Sequence, residues 1–520
     1  MTDRANILFV VLDQFRADCL TGALADHVHL PHLQALRAEA VTFRNHYSVC
    51  SPCGPSRASI LTGQYGMNHR AVRNGTPLPH DTPNLALEAR KAGYDPLLYG
   101  YTDIAHDPRQ HHANDPMVHS YEQVIPGFRE VLEMRLEESW PWRAHLRTKG
   151  YDPLPAYPDI FQPQGDDPMD PALYAAEDSD TAFLTDQVLH DLAARPLGWF
   201  AHVTYIRPHP PLVAPAPYNR MYDPASLPAP ANTAQSPGET GKTHPFLEAA
   251  IHHKSAASVV EGQPDLEDTP EIIAKLRAVY FGLASEVDHH FGRLIHFLKE
   301  TGQYDTTRIV VTADHGEMLG DHHSWGKMSY FDAAYHTPLI IRDPYAPARH
   351  GSDIDTPTES IDIAPTLLDM CGLTPPDTMD GHSLRPFLEG HMPMQWRDYT
   401  FSELDYGDPI TPSFLQSRLN LTTEHANLAI LRSETHTLVH FNGGLPSLLF
   451  DHTDAGEARD ISDQPGAQRI ILDMSQAMLD HRMSHPQGRF AHTLITTDGV
   501  QNAPRHAKDS PHAQGLAKAS

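Results

Sequence analysis

A chain of 520 residues can bury a large core, either as two domains or as one α/β domain with insertions. Its 66 acidic against 39 basic residues leave a formal charge of -27, which excludes nucleic acid as a partner, because phosphate backbones are held by clustered Lys and Arg. Four cysteines (Cys19, Cys50, Cys53, Cys371) are too few for a disulfide framework, and no apolar run is long enough for a leader or a membrane span. A cytoplasmic protein without membrane contact is the expectation. An anionic substrate would have to be drawn in locally, by a metal ion and a few buried cations.

In chain order, Ile7 to Leu12 is a continuous apolar run, the mark of a strand buried on both faces, and it ends in Asp13-Gln14. Leu30 to Val41 reads as a helix. A loop around Cys50 follows, and a helix start at Arg57 to Leu61 places Cys53 just before a helix N-terminus, where partial positive charge favours an anion. Pro83 to Ala92 has helical spacing. Asp95 to Tyr99 reads as a strand ending in Tyr101-Thr-Asp103. Residues 104–171 are irregular and read as an insertion over the active face. Leu173 to Ala194 is helical, and Leu197 to Ile206 is a strand that runs into Arg207-Pro-His209-Pro-Pro, a stiff turn opening a second insertion at 207–250.

Thr269 to Thr301 carries the strongest helical periodicity. Arg308 to Thr312 is a buried strand followed by Asp314-His315-Gly-Glu, Leu339 to Ile341 is a short strand, and Glu359 to Gly372 is a helix closed by glycine. From about residue 396 short strands dominate (Asn427–Leu431, Thr437–Phe441, Leu448–Phe450), then a helix from Gln468 to Met483. The expected layout is a main α/β domain over 1–395, a small C-terminal antiparallel α+β subdomain over 396–488, and a polar tail over 489–520 that is disordered or serves as an oligomerisation arm. The histidine pairs at 111–112, 252–253 and 289–290 are assigned to solvated surface.

Chemistry concentrates where strands end. Ligand-binding residues of open α/β sheets lie at strand carboxyl ends, so Asp13-Gln14 and Asp314-His315 read as halves of a metal site. Either dipeptide alone is equally well a turn. Between them lies Cys50-Ser-Pro-Cys53-Gly-Pro55-Ser-Arg57-Ala-Ser-Ile-Leu61-Thr62-Gly63. Cys50-x-x-Cys53 could be a redox pair or half of a zinc ribbon, but a ribbon needs a second Cys pair, and the remaining cysteines are far apart and single.

The second half of that stretch, Cys53-x-Pro55-x-Arg57 with Leu61-Thr62-Gly63, resembles the signature of the formylglycine sulfatases. The whole chain resembles their phosphonate monoester hydrolase and arylsulfatase branch, within the alkaline phosphatase superfamily. The resemblance implies a large mixed sheet sandwiched by helices. It implies that a formylglycine-generating enzyme converts Cys53 to the aldehyde nucleophile. It implies a divalent metal held by Asp13, Gln14, Asp314, His315 and the modified Cys53. Imidazole beside carboxylates favours Mn²⁺, with Ca²⁺ or Zn²⁺ as alternatives.

The same resemblance gives roles to Arg57 (holding the nucleophile), Lys327 (contacting the substrate oxyanion), His209 (protonating the leaving group), and Asn74 and Tyr101 (lining the pocket). Asp103 stands where the phosphonate hydrolases carry threonine. An extra carboxylate there would tilt preference toward singly charged sulfate esters.

The expected function is hydrolysis of sulfate esters through a covalent sulfo- or phospho-enzyme hemiacetal, with phosphonate monoesters and phosphodiesters also accepted. An aldehyde hydrate carries two hydroxyls on one carbon, so one can attack and the other can expel the anion whatever its central atom. Phosphonate monoester hydrolysis as the main activity, or an unmodified cysteine in an inactive binding protein, are the alternatives. The family's habit implies a homo-oligomer, a dimer or tetramer.

Overall fold

The computed structural model describes residues 4–135, 138–232, 243–454, 456–485 and 493–502. An eight-stranded mixed sheet organises it, in the order Ser352–Ile354, Val41–Phe43, Leu339–Arg342, Thr307–Ala313, Asn6–Leu12, Phe200–Tyr205, Pro96–Gly100, Arg129–Glu133. Asn6–Leu12 runs parallel to both of its neighbours, while Leu339–Arg342 is antiparallel to the strands on either side.

The central strand feeds two cores. Leu8, Val10 and Leu12 point into one, with the helices Pro31–Ala38, Asp180–Ala193 and Pro270–Glu300. Ile7, Phe9 and Val11 point into the other, with Cys53–Thr62, Leu85–Lys91 and Ile363–Met370. Alternate residues of a strand face opposite sides, so a run that is apolar at every position belongs between two helical layers.

A second sheet of five strands runs Leu448–Asp451, His436–Phe441, Asn427–Ser433, Tyr399–Asp405, Cys50–Ser51. Cys50 and Ser51 pair in parallel with Glu403 and Leu404, so the loop bearing Cys53 is stitched to the smaller sheet. The helix Ala467–Ser484 covers that sheet through Met474 and Met478.

Several elements differ from expectation. The helix expected over Leu30–Val41 ends at Ala38, and Val41 starts a strand. The insertion at 104–171 contributes the edge strand Arg129–Glu133 and the helix Trp140–Thr148. The helix expected from Leu173 begins only at Asp180, where Ser179 caps it by accepting from the Ala182 amide. Within the expected tail, Thr493–Thr496 and Gly499–Asn502 form a hairpin, while 489–492 and 503–520 lie outside the described residues. The pair at 289–290 is not uniformly surface. His289 is exposed, but His290 is buried on the core side of its helix beside Phe291 and Leu294. No helix among the described residues is long and apolar enough to cross a membrane.

Candidate active site

Strands of the large sheet deliver most of the candidate residues from their carboxyl ends, as expected of open α/β sheets. Asp13-Gln14 follow Asn6–Leu12, Tyr101 and Asp103 follow Pro96–Gly100, His209 follows Phe200–Tyr205, and Asp314-His315 follow Thr307–Ala313. The helix Cys53–Thr62 points its N-terminus at this cluster. Cys53 is its first residue rather than the one before it. Pro55 sits in the first turn, where a missing N–H costs nothing, and the Ser56 amide makes the first helical bond to the Pro52 carbonyl at 3.0 Å. Gly63, at φ 65°, closes the helix in the left-handed region against Met379.

Donor atoms of Asp13, Cys53, Asp314 and His315 all lie within 4.8 Å of one another, and all four residues are buried. The Cys53 sulfur is 3.2 Å from His315 Nε2, 3.1 Å from Lys327 Nζ and 3.9 Å from Asp13 Oδ1. His315 Nδ1–H donates to the Gly316 carbonyl at 3.0 Å, which leaves the Nε2 lone pair facing the cluster. Burial and the neighbouring Lys327 push this imidazole down to about 3, so it is neutral and available as a ligand. Two buried carboxylates, a neutral imidazole and residue 53 form a donor set suited to a divalent cation that accepts nitrogen as well as oxygen.

The carboxylates are anchored from behind. Arg57 spans them, with Nε to Asp314 Oδ2 at 3.1 Å and Nη2 to Asp13 Oδ2 at 2.9 Å, and its guanidinium lies over the Tyr101 ring at 4.4 Å. The Tyr101 hydroxyl donates to the same Asp13 oxygen. The planar fork of arginine fits two carboxylates where a lysine would reach one.

Gln14 has φ 62°, a conformation that costs a residue with a side chain about 1–3 kcal/mol and persists only where neighbours fix it. Here its amide donates to Asp314 Oδ1 at 3.0 Å, and its carbonyl accepts from the Tyr280 hydroxyl at 2.8 Å. Its side-chain amide donates to Glu317, and its side-chain oxygen accepts from Lys327 at 2.7 Å.

Lys327 is the hub of the upper side. Besides Gln14 and Cys53 it reaches His209 Nε2 at 2.9 Å. Burial works against its charge, yet the Cys53 sulfur, Asp13 and Asp314 together hold the ammonium above its ordinary value. Burial, then Lys327, drive His209 well below the usual histidine range. His209 is therefore a neutral acceptor from Lys327, with its Nδ1 facing the Pro210 carbonyl.

Asn74 uses its side-chain oxygen to accept from the Gly54 amide at 2.9 Å, so it caps the Cys53 helix. Asp103, at φ 55°, is buried, and its Oδ1 has no hydrogen-bond partner among the described residues. Burial, with Glu122, Asp13 and Asp314 adding to it against Arg57, raises its carboxyl well above the usual range.

Three further residues carry the site and were not singled out in the sequence. Glu317 accepts from Gln14, from the Leu319 amide at 2.8 Å and from the Gly326 amide at 2.6 Å, tying both ends of the Asp314–Lys327 loop together. Its place three residues after Asp314 was the available signal. Ser56 donates to the Asp314 carbonyl at 2.5 Å. Lys254 lies across Gly326, with Nζ 3.2 Å from where a Cβ there would stand. Burial and Lys327 lower its pKa.

Comparison with known proteins agrees with this geometry. Residues 5–373 match the family model described as Sulfatase, and residues 320–484 match that of the C-terminal part of N-sulphoglucosamine sulphohydrolase. The structure of a phosphonate monoester hydrolase from Silicibacter pomeroyi superposes with TM-score 0.94 at 56% identity, covering 97% of this chain and 100% of that one. That of a phosphonate monoester hydrolase from Agrobacterium radiobacter gives 0.91 at 38% identity, covering 96% and 100%. A multifunctional alkaline phosphatase superfamily protein of Trinickia caryophylli is 37% identical over 515 residues, covering 96% of this chain and 99% of its own. The chain belongs to the sulfatase family, within the alkaline phosphatase superfamily.

Proposed function

We propose that the protein hydrolyses aryl sulfate esters, and phosphonate monoesters and phosphodiesters as well, at the one site around Cys53. The observation that carries this reading is the buried cluster of Asp13, Cys53, Asp314 and His315 beneath Lys327 and His209. The three substrate classes share a tetrahedral centre with a single negative charge and an ester oxygen to be expelled. One set of cations and one acid can serve them all.

In this reading Asp13, Gln14, Asp314, His315 and residue 53 hold a divalent cation, Mn²⁺ by preference, which supplies Lewis acidity to the nucleophile and to the substrate oxygens. Formylglycine in place of Cys53 supplies a pair of hydroxyls, one to bond the transferred group and one to release it. The chain's own residues do the rest. Arg57 keeps both carboxylates oriented. Lys327 stands 3.1 Å from the residue-53 side chain, where it can neutralise charge growing on the transferred group. His209, whose Nε2 accepts from the Lys327 ammonium, is placed to take that proton and relay it to the departing oxygen. Asn74, by capping the Gly54 amide, fixes the start of the nucleophile helix, and Tyr101 does the same for Asp13.

Residues of the Cys53-x-Pro55-x-Arg57 motif are buried in a helix. A formylglycine-generating enzyme therefore has to act on the chain before it folds. We read residues 1–395 as the catalytic unit and 396–488 as a smaller one, in a cytoplasmic homo-oligomer. Leu494, Ile495 and Val500 support the oligomer, being exposed on a two-stranded hairpin that would be marginal alone.

A second reading, phosphonate monoester hydrolysis as the main activity, is favoured by the 56% identity to a hydrolase of that name. Asp103 is the test between them. Burial shifts the Asp103 carboxyl toward its neutral form, which donates a hydrogen bond rather than repelling an anion, and threonine would donate a weaker one. One preparation assayed on an aryl sulfate, a phenyl phosphonate monoester and a phosphodiester gives the ranking. Asp103→Thr is expected to change the sulfatase to phosphodiesterase ratio by about tenfold, the worth of one hydrogen bond to a charged group. An unchanged ratio removes Asp103 from substrate choice, and no turnover of any of the three by metal-loaded protein would overturn the proposal.

A further inference from the structure

The turn that carries His209 is held by a residue that touches none of the reacting groups. Arg207 is fully buried, the centre of a small polar knot beneath the turn. Its Nε donates to Asp180 Oδ2 at 3.1 Å, and its Nη1 donates to the carbonyls of His209 at 3.0 Å and Pro211 at 2.9 Å. The guanidinium stacks on the Phe161 ring at 4.7 Å. Asp180 is itself fixed as the first residue of the helix Asp180–Ala193. One rigid fork thus ties the backbone on both sides of Pro210 to a helix of the main core.

The prolines on either side of His209 lock their own φ but leave open where the turn as a whole sits on the sheet. Arg207 supplies that missing constraint. Misplacing a catalytic group by about 1 Å costs about 100-fold in rate. We propose that Arg207, locked by Asp180 and Phe161, is the positioning residue that sets His209 Nε2 against the oxygen of the leaving alcohol. The inference rests on the acid role given to His209 above and goes beyond it by assigning what aims the acid.

Buried charge supports the assignment. Burial and the nearby Asp180 push the Glu286 carboxyl, on the neighbouring long helix, up to about 8. Glu286 is then neutral at pH 7, and among the described residues Arg207 is balanced by Asp180 alone. Lysine at 207 would keep the charge, but a single ammonium cannot hold one carboxylate and two carbonyls in a fork.

The test is the dependence of rate on leaving group, using 4-nitrophenyl and phenyl esters of one phosphonate. Nitrophenolate departs without help, whereas phenolate, the stronger base, gains from a proton. Arg207→Lys is expected to lower kcat about 10-fold or more on the phenyl ester and less than about 3-fold on the nitrophenyl ester, because only the former needs general acid catalysis. Asp180→Asn, which keeps the packing shape, should act in the same direction and serves if Arg207→Lys does not fold. His209→Ala should show the same selectivity more strongly, and adding Arg207→Lys to it should change nothing more.

Equal losses on both esters in Arg207→Lys and Asp180→Asn, with His209→Ala selective, would overturn the positioning role while leaving the acid role standing. Additive effects in the double variant would overturn it too. If His209→Ala is not selective, the acid role falls, and this inference falls with it.

Discussion

Replacing Cys53 by serine is expected to turn steady hydrolysis into a single burst, with about one phenol released per active site and a later rate lower by about 10³-fold or more. The serine hydroxyl would stand within reach of Lys327 and Asp13, where the Cys53 sulfur lies at 3.1 Å and 3.9 Å. It could therefore take up the sulfuryl or phosphonyl group. The resulting ester has no second hydroxyl on the same carbon, so release requires water to attack the central atom again. Alanine at 53 should give no burst. Comparing the two variants on a 4-nitrophenyl ester by stopped flow separates loss of the nucleophile from loss of the release step. Continued turnover by the serine variant would remove the aldehyde from the account.

Asp314→Asn should be nearly as damaging by another route. This carboxylate accepts from Arg57 Nε at 3.1 Å, from the Gln14 amide at 3.0 Å and from its own neighbour's amide, that of His315, at 2.9 Å. Removing its charge leaves buried Arg57 with Asp13 as its one remaining ion pair among the described residues, and breaking a buried pair costs about 3–5 kcal/mol. It also removes one of the two carboxylates from the proposed cation site. The expected result is a fall in kcat/KM of about 10³-fold and a melting temperature that no longer rises with added Mn²⁺, whereas the wild-type protein gains stability with each increment of bound metal. Equal stabilisation of both proteins by Mn²⁺ would place the cation elsewhere.

Much of this arrangement was legible in the sequence because its central strands sit between two helical layers. Ile7–Leu12 is apolar throughout and Arg308–Thr312 is built on the apolar run Ile309–Val311, and the polar dipeptides that follow them stand out. The pieces that were not legible are short or half-exposed. Val41–Phe43 and Cys50–Ser51 have three and two residues, too few to show any period. Arg129–Glu133 is an edge strand with exposed charges, and it reads as loop.

Within the site, the residues that carry the family resemblance were found, but Ser56 and Glu317 beside them, and residues that act from elsewhere in the chain, were not. Tyr280 fixes Gln14 from 266 positions away, and nothing in its helix distinguishes it from a core tyrosine. Lys254 is a single lysine just after the short helix Pro245–His253 until Gly326 is seen beneath it. His290 was misread because a histidine doublet suggests surface, whereas its place among Val287, Phe291 and Leu294 puts it on the inward stripe of the long helix.

The most direct measurement is the mass of the tryptic fragment that contains position 53, taken on protein purified with its metal. The account predicts a species lighter than the thiol form, carrying a carbonyl that reacts with a hydrazide and present in proportion to activity. A fragment bearing only intact thiol, from a preparation that turns over aryl sulfate at full rate, would contradict it.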